Sequence, residues 1–163
     1  MLLLLKNLTF TLLVPGTVAV LIPYRLASRA PLGPGFGPVR LAVAIPAFIL
    51  GGVIYAWCLW DFATAGRGTP APIDPPKDLV VRGLYRYVRN PMYLGVLLVV
   101  GGWAALSGSW SVLAYGIAMA LLFHFFVLLV EEPTLRRQFG SAYDAYCGRV
   151  GRWLPAPQKG QAA

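Results

Sequence analysis

The amino-acid sequence predicts an all-α integral membrane protein with about four transmembrane helices. Spans three and four form a helical hairpin, and a C-terminal amphipathic helix follows. Three observations carry that expectation. Mean hydropathy is +0.65 and only 12% of the residues are charged, which is too apolar for an ordinary soluble domain. Four apolar stretches reach or approach the about 20 helical residues that cross a hydrocarbon core of roughly 30 Å. The residues after the last stretch alternate apolar and charged side chains at helical spacing. A chain of 163 residues has room for one domain.

The first span runs from about Leu3 to Leu26, and Pro15 and Pro23 are expected to kink it. Its start, "MLLLLKNLTFTLLV", resembles a signal peptide. Lys6 interrupts the leucines, however, and no small-residue cleavage site stands out, so the stretch reads as a retained span. The Gly/Pro-rich "SRAPLGPGFGPVR" follows as a loop. The second span runs from about Leu41 to Trp60, and Asp61 reads as its boundary. The third, about Met92 to Leu106, is short and carries Gly95, Gly101 and Gly102. Small residues let helices approach closely in a bilayer, so this span is expected to pack against its neighbours. Ser107, Gly108 and Ser109 join it to the fourth, about Trp110 to Val130, which makes the hairpin.

Both outer ends of the hairpin must lie on one side of the membrane. One is the polar loop over residues 62–91, with Arg67, Lys77, Arg82, Arg86 and Arg89. The other is the C-terminal segment, with Arg136, Arg137, Arg149, Arg152 and Lys159. These are ten of the 14 cations, and the hairpin's inner loop has none. The bias of Lys and Arg towards the cytoplasm puts both regions, and Lys6, inside. Arg25, Arg29 and Arg40 fall outside on that reading, a minority against the rule.

Within the C-terminal segment, a helix over 131–150 places Leu135, Phe139, Tyr143 and Tyr146 on one face. It is expected to lie against the membrane or to cover the polar loop. Gly140 weakens it, Trp153 suits an interfacial anchor, and the tail 156–163 reads as disordered.

The net charge of +8 would suggest nucleic acid in a soluble protein. Here the cations flank apolar spans and favour anionic headgroups, so no nucleic-acid partner is expected. Cys58 and Cys147 have no metal-ligand spacing, which leaves neither a zinc site nor a disulfide framework. No obligate protein partner is evident.

The hairpin brings "GLYRYVRNPMYLG" and "EEPTLRRQFG" to one membrane face. Polar groups that converge at a membrane boundary suggest a site; an aromatic belt with snorkelling arginines would use the same residue types. These segments, with the glycine-rich span and the span that follows, resemble the isoprenylcysteine carboxyl methyltransferase and phospholipid N-methyltransferase superfamily. Its motif reads Arg-His-Pro-x-Tyr-x-Gly, then an apolar stretch and Glu-Glu. The resemblance covers about Lys77 to Pro155.

The resemblance implies S-adenosylmethionine as methyl donor, entering from the cytosol. It implies a lipid or lipophilic small-molecule acceptor and a multi-pass protein of the bacterial inner membrane. By the same resemblance Lys77, Asp78, Leu79, Val80, Gly83, Tyr85, Asn90, Pro91, Met92 and Tyr93 would bind the cofactor. Glu131, Glu132 and Arg89 would form the catalytic set. The physics is compatible: in-line transfer from a sulfonium needs alignment and no metal, aromatic faces stabilise a cation, and arginine pairs with a carboxylate.

Two positions depart from the family pattern. Asn90 stands where the motif has histidine; it can hydrogen-bond but cannot titrate near neutral pH. Val127 stands where the prenylcysteine enzymes place an arginine for the substrate carboxylate, which argues against a prenylcysteine acceptor. His124, two turns before Glu131, reads either as a base or substrate contact or as a buried histidine with satisfied hydrogen bonds. Two other functions fit less well. A steroid-reductase-like NADPH enzyme carries a similar run, but Val96 and Met92 replace its acidic residue and asparagine. A non-catalytic module would explain the missing histidine but not Glu131, Glu132 and Tyr93.

Overall fold

A computed structural model describes residues 9–29, 37–66 and 78–156. Lys77, the start of the first span, part of the polar loop and the tail 157–163 lie outside the described residues. The described residues form five helices: α1 (Thr9–Arg29), α2 (Gly37–Ala65), α3 (Pro91–Ser107), α4 (Trp110–Phe139) and α5 (Ser141–Arg149). The fold is all-α, and no strand occurs among the described residues beyond one isolated bridge between Val88 and Gly151. Helices α1, α2 and α4 are long and apolar enough to cross a membrane. The 17 residues of α3 reach about 25 Å at 1.5 Å per residue.

Helices α2 and α3 pack antiparallel through their glycines. A Cβ on Gly51 would lie 2.6 Å from the Gly95 carbonyl oxygen, and one on Gly102 would lie 2.8 Å from the Phe48 ring. Gly101 faces open space, so two of the three glycines in this span serve close approach. Trp103 stands edge-on to both Tyr24 and Phe48, joining α1, α2 and α3. At that end of the bundle Arg40 reaches the Ser107 carbonyl at 3.4 Å. One cation on the side that the charge rule disfavours thus serves the C-terminus of α3.

The prolines are absorbed by π-helical turns. In α1 the segment Gly16–Leu21 is π-helical, and the Ile22 amide bonds back to Thr17. In that register the Val18 carbonyl would look to Pro23, which has no N–H. The Tyr115 hydroxyl donates to it instead, at 2.8 Å, the kind of neighbouring donor that a backbone group in lipid needs. In α4 the segment Val127–Glu131 is π-helical, and the Glu132 amide bonds back to Val127 just before Pro133.

That second π turn changes one expectation. Instead of a separate helix over 131–150, residues 132–139 continue α4, and the chain breaks at Gly140, where φ is +52°. The break folds α5 back so that Leu135, Phe139, Tyr143 and Tyr146 join one cluster with Val150 and Leu79. The amphipathic face therefore covers the polar loop.

Candidate functional site

The site lies where the C-terminal end of α2, the segment 78–91, the π turn of α4 and the residues after α5 meet. Antiparallel packing of α2 on α3, and the tight turn from α3 to α4, bring these four segments to one end of the bundle. Gly83, at φ +54°, opens a short 3-10 turn over Gly83–Arg86. A side chain there would collide with the Asp61 carboxylate. Arg82 Nε donates to Asp61 Oδ1 at 2.8 Å, so buried Asp61 ties the segment to α2. It is more than a span boundary.

The two adjacent glutamates face different partners. Glu131 Oε2 accepts from the Tyr93 hydroxyl at 2.8 Å, and Tyr93 stacks obliquely on Phe123 with ring centroids 4.7 Å apart. Glu132 is 3% exposed and is gripped by Arg152, with Nε to Oε1 at 2.6 Å and Nη2 to Oε2 at 3.1 Å. Arg89 Nη1 adds 3.1 Å to Oε1, and Arg136 stands at 3.9 Å. The sequence suggests an arginine partner for Glu131 and a solvent-facing Glu132. The structure reverses this, because the π turn offsets the two side chains and the C-terminal segment brings Arg152 back over Glu132. Arg86 is exposed and takes no part.

Two adjoining cavities share the wall made by Tyr85, Arg89, Asn90, Tyr93 and Glu131. The larger holds about 590 Å³. Its polar floor adds Glu132, Tyr143 and Tyr146, and its apolar side is Leu122, Phe123, Phe126, Val127 and Val130. Leu122, Phe126 and Val130 are exposed on the lipid-facing surface of α4. The smaller, about 120 Å³, runs between α1, α2 and α3 past Val14, Val18, Tyr55 and Val96.

Leu79 and Val80 line the larger cavity, and Met92 lines only the smaller. Asp78 is exposed, Pro91 is fully buried at the start of α3, and Gly83 packs on Asp61; none of the three lines either cavity. The Asn90 side-chain amide donates to the Arg152 carbonyl at 3.2 Å, so part of its hydrogen bonding serves the C-terminal segment. Arg89 Nε is buried without a hydrogen-bond partner among the described residues. Burial pushes the Tyr85 phenol well above its ordinary range and raises Tyr146 too. Both stay protonated at neutral pH, and Tyr146 donates to the Tyr85 carbonyl at 2.7 Å.

Sequence reasoning missed Phe62, Tyr143, Tyr146 and Arg152. The helical pattern marked the tyrosines as a buried face but not what they cover. Nothing local marked Arg152, which lies outside any helix. His124 lines neither cavity; its Nδ1 accepts from Trp153 Nε1 at 3.0 Å. No group of three potential metal ligands occurs among the described residues.

Comparison with known proteins agrees with this arrangement. The family model for phospholipid methyltransferase matches residues 39–142, well over half of the chain. The Gallus gallus protein named Delta(14)-sterol reductase LBR is 31% identical over 84 residues, which cover 48% of this chain and 13% of that protein. No solved structure matches.

Proposed function

Because the chain belongs to the phospholipid methyltransferase family, we propose that it transfers a methyl group from S-adenosylmethionine to an amine on a lipophilic or membrane-embedded acceptor. The observation that carries the reading is the Tyr93–Glu131 pair, set where the polar floor of the larger cavity meets its lipid-side wall.

The residues present suit the donor. A cavity of about 590 Å³ accommodates a nucleoside with an amino-acid tail. The unpartnered Arg89 Nε is a donor for the tail's carboxylate. Tyr85 and Tyr93 present ring faces to a sulfonium. S-adenosylmethionine supplies an electrophilic methyl group, and the new N–C bond forms as the S–C bond breaks.

This chain's residues then have three tasks. The Tyr93 hydroxyl fixes the Glu131 carboxylate. Glu131 takes the proton from the acceptor ammonium and so frees the lone pair for in-line attack. Phe123, Phe126 and Val127 keep water away and receive the acceptor's apolar part from the lipid side. Val127, 1% exposed, offers no cation to an acceptor carboxylate. That favours an amine over a carboxylic acid.

The site would face the cytoplasm, which supplies the donor. The test is transfer of a labelled methyl group, with purified protein in detergent, to aminophospholipids, lipophilic thiols and prenylcysteine acids in parallel. Labelling of amines supports the reading. Labelling of the acids alone would exclude the amine assignment, and no labelling in any arm would count against methyl transfer.

A further inference from the structure

The residues after α5 form a strap across the motif segment. The Arg89 amide donates to the Gly151 carbonyl at 2.8 Å, and the Asn90 side chain donates to the Arg152 carbonyl at 3.2 Å. Arg152 grips Glu132. Trp153 closes the strap. Its indole N–H donates to His124 Nδ1 at 3.0 Å, and its ring stands edge-on to Tyr93 with centroids 6.3 Å apart. The strap is irregular in conformation, so no helix of its own holds it in place.

His124 is the chain's single histidine. A ring nitrogen that accepts a hydrogen bond carries no proton, so His124 is neutral with its proton on Nε2. The indole N–H is a donor only, and His124 meets it amid the aromatic rings of Phe125 and Trp153. Without an acceptor there the N–H would be stranded beside apolar helix, an arrangement that buried polar groups avoid.

We infer that His124 is a positioning residue. Through Trp153 it anchors the strap 150–153, and the strap fixes Arg89, Asn90 and Tyr93 for ligand binding. This goes beyond the motif residues of the family. It rests on the methyltransferase reading for the ligand's identity but not for the strap itself.

The test compares wild type with His124→Asn, His124→Phe and Trp153→Phe, all in detergent. Asparagine places a carbonyl oxygen near the site of Nδ1, and phenylalanine keeps the ring without an acceptor. Two readouts are taken: hydrogen exchange over residues 86–93 and 148–154, and S-adenosylhomocysteine affinity by calorimetry. His124→Phe and Trp153→Phe are expected to speed exchange in both segments and to weaken binding about tenfold, the usual scale of one lost hydrogen bond. His124→Asn is expected to restore both.

Unchanged exchange in His124→Phe would overturn the inference. So would His124→Asn behaving like His124→Phe, since packing alone would then explain both. If wild type binds no S-adenosylhomocysteine, the cofactor assignment fails, and the exchange comparison still decides the role of His124.

Discussion

The Tyr93 hydroxyl and the Glu131 carboxylate meet at 2.8 Å across the groove between α3 and α4. The pair joins the two motifs, which lie 38 residues apart in sequence. Glu131→Gln keeps the shape and removes the charge. It is expected to fold and insert but to lose about tenfold to a thousandfold in methyl-transfer rate. Tyr93→Phe is expected to lose less, about tenfold, and the double variant is expected to be no worse than Glu131→Gln alone. Steady-state rates on the four proteins check this; full activity in Glu131→Gln would remove the carboxylate from the chemistry.

Glu132 has a different task. Its carboxylate is buried among Arg89, Arg152 and Arg136, and removing one member of a buried charge cluster strands the others. Glu132→Gln is expected to lower stability by about 3 kcal/mol and to expose the C-terminal segment to protease. Thermal unfolding in detergent and limited proteolysis measure both. Stability equal to wild type would show that the arginines find water instead.

Gly83 sits at φ +54° with no room for a side chain beside Asp61. Gly83→Ala is expected to cost about 1–2 kcal/mol for the left-handed backbone and more for the collision, and so to displace the segment 78–90. Gly101→Ala, in open space, is the control and is expected to be silent. Comparison of melting temperatures and cofactor affinity separates the two.

Membrane orientation is open to direct test. The cation bias predicts that reporter fusions at Gly68 and Gly160 read cytoplasmic and a fusion at Ser107 reads outside. Opposite sides for Gly68 and Gly160 would separate the loop from the C-terminal segment and rule out a composite site.

The helical hairpin and the meeting of the two motifs were legible because apolar run lengths and the three-residue turn after α3 force them. The glycines pointed to close packing, and Gly51 and Gly95 meet at the α2–α3 contact. The orientation of Glu131 against Glu132 was not legible. It depends on a one-residue π insertion before Pro133, which sequence periodicity does not resolve. The strap was hidden for another reason. Its contacts run through the carbonyls of Gly151 and Arg152, and backbone acceptors leave no mark in side-chain pattern. Asp61 read as a boundary because its partner Arg82 is 21 residues away, across a loop with no regular pattern.

The most direct test of the central claim is calorimetric titration of the purified protein in detergent with S-adenosylhomocysteine and, separately, with NADPH. The account predicts micromolar binding of S-adenosylhomocysteine, roughly −8 kcal/mol, weakened in Glu131→Gln and Gly83→Ala, and no binding of NADPH. Binding of NADPH without S-adenosylhomocysteine would contradict it and assign the cavity to a reductase.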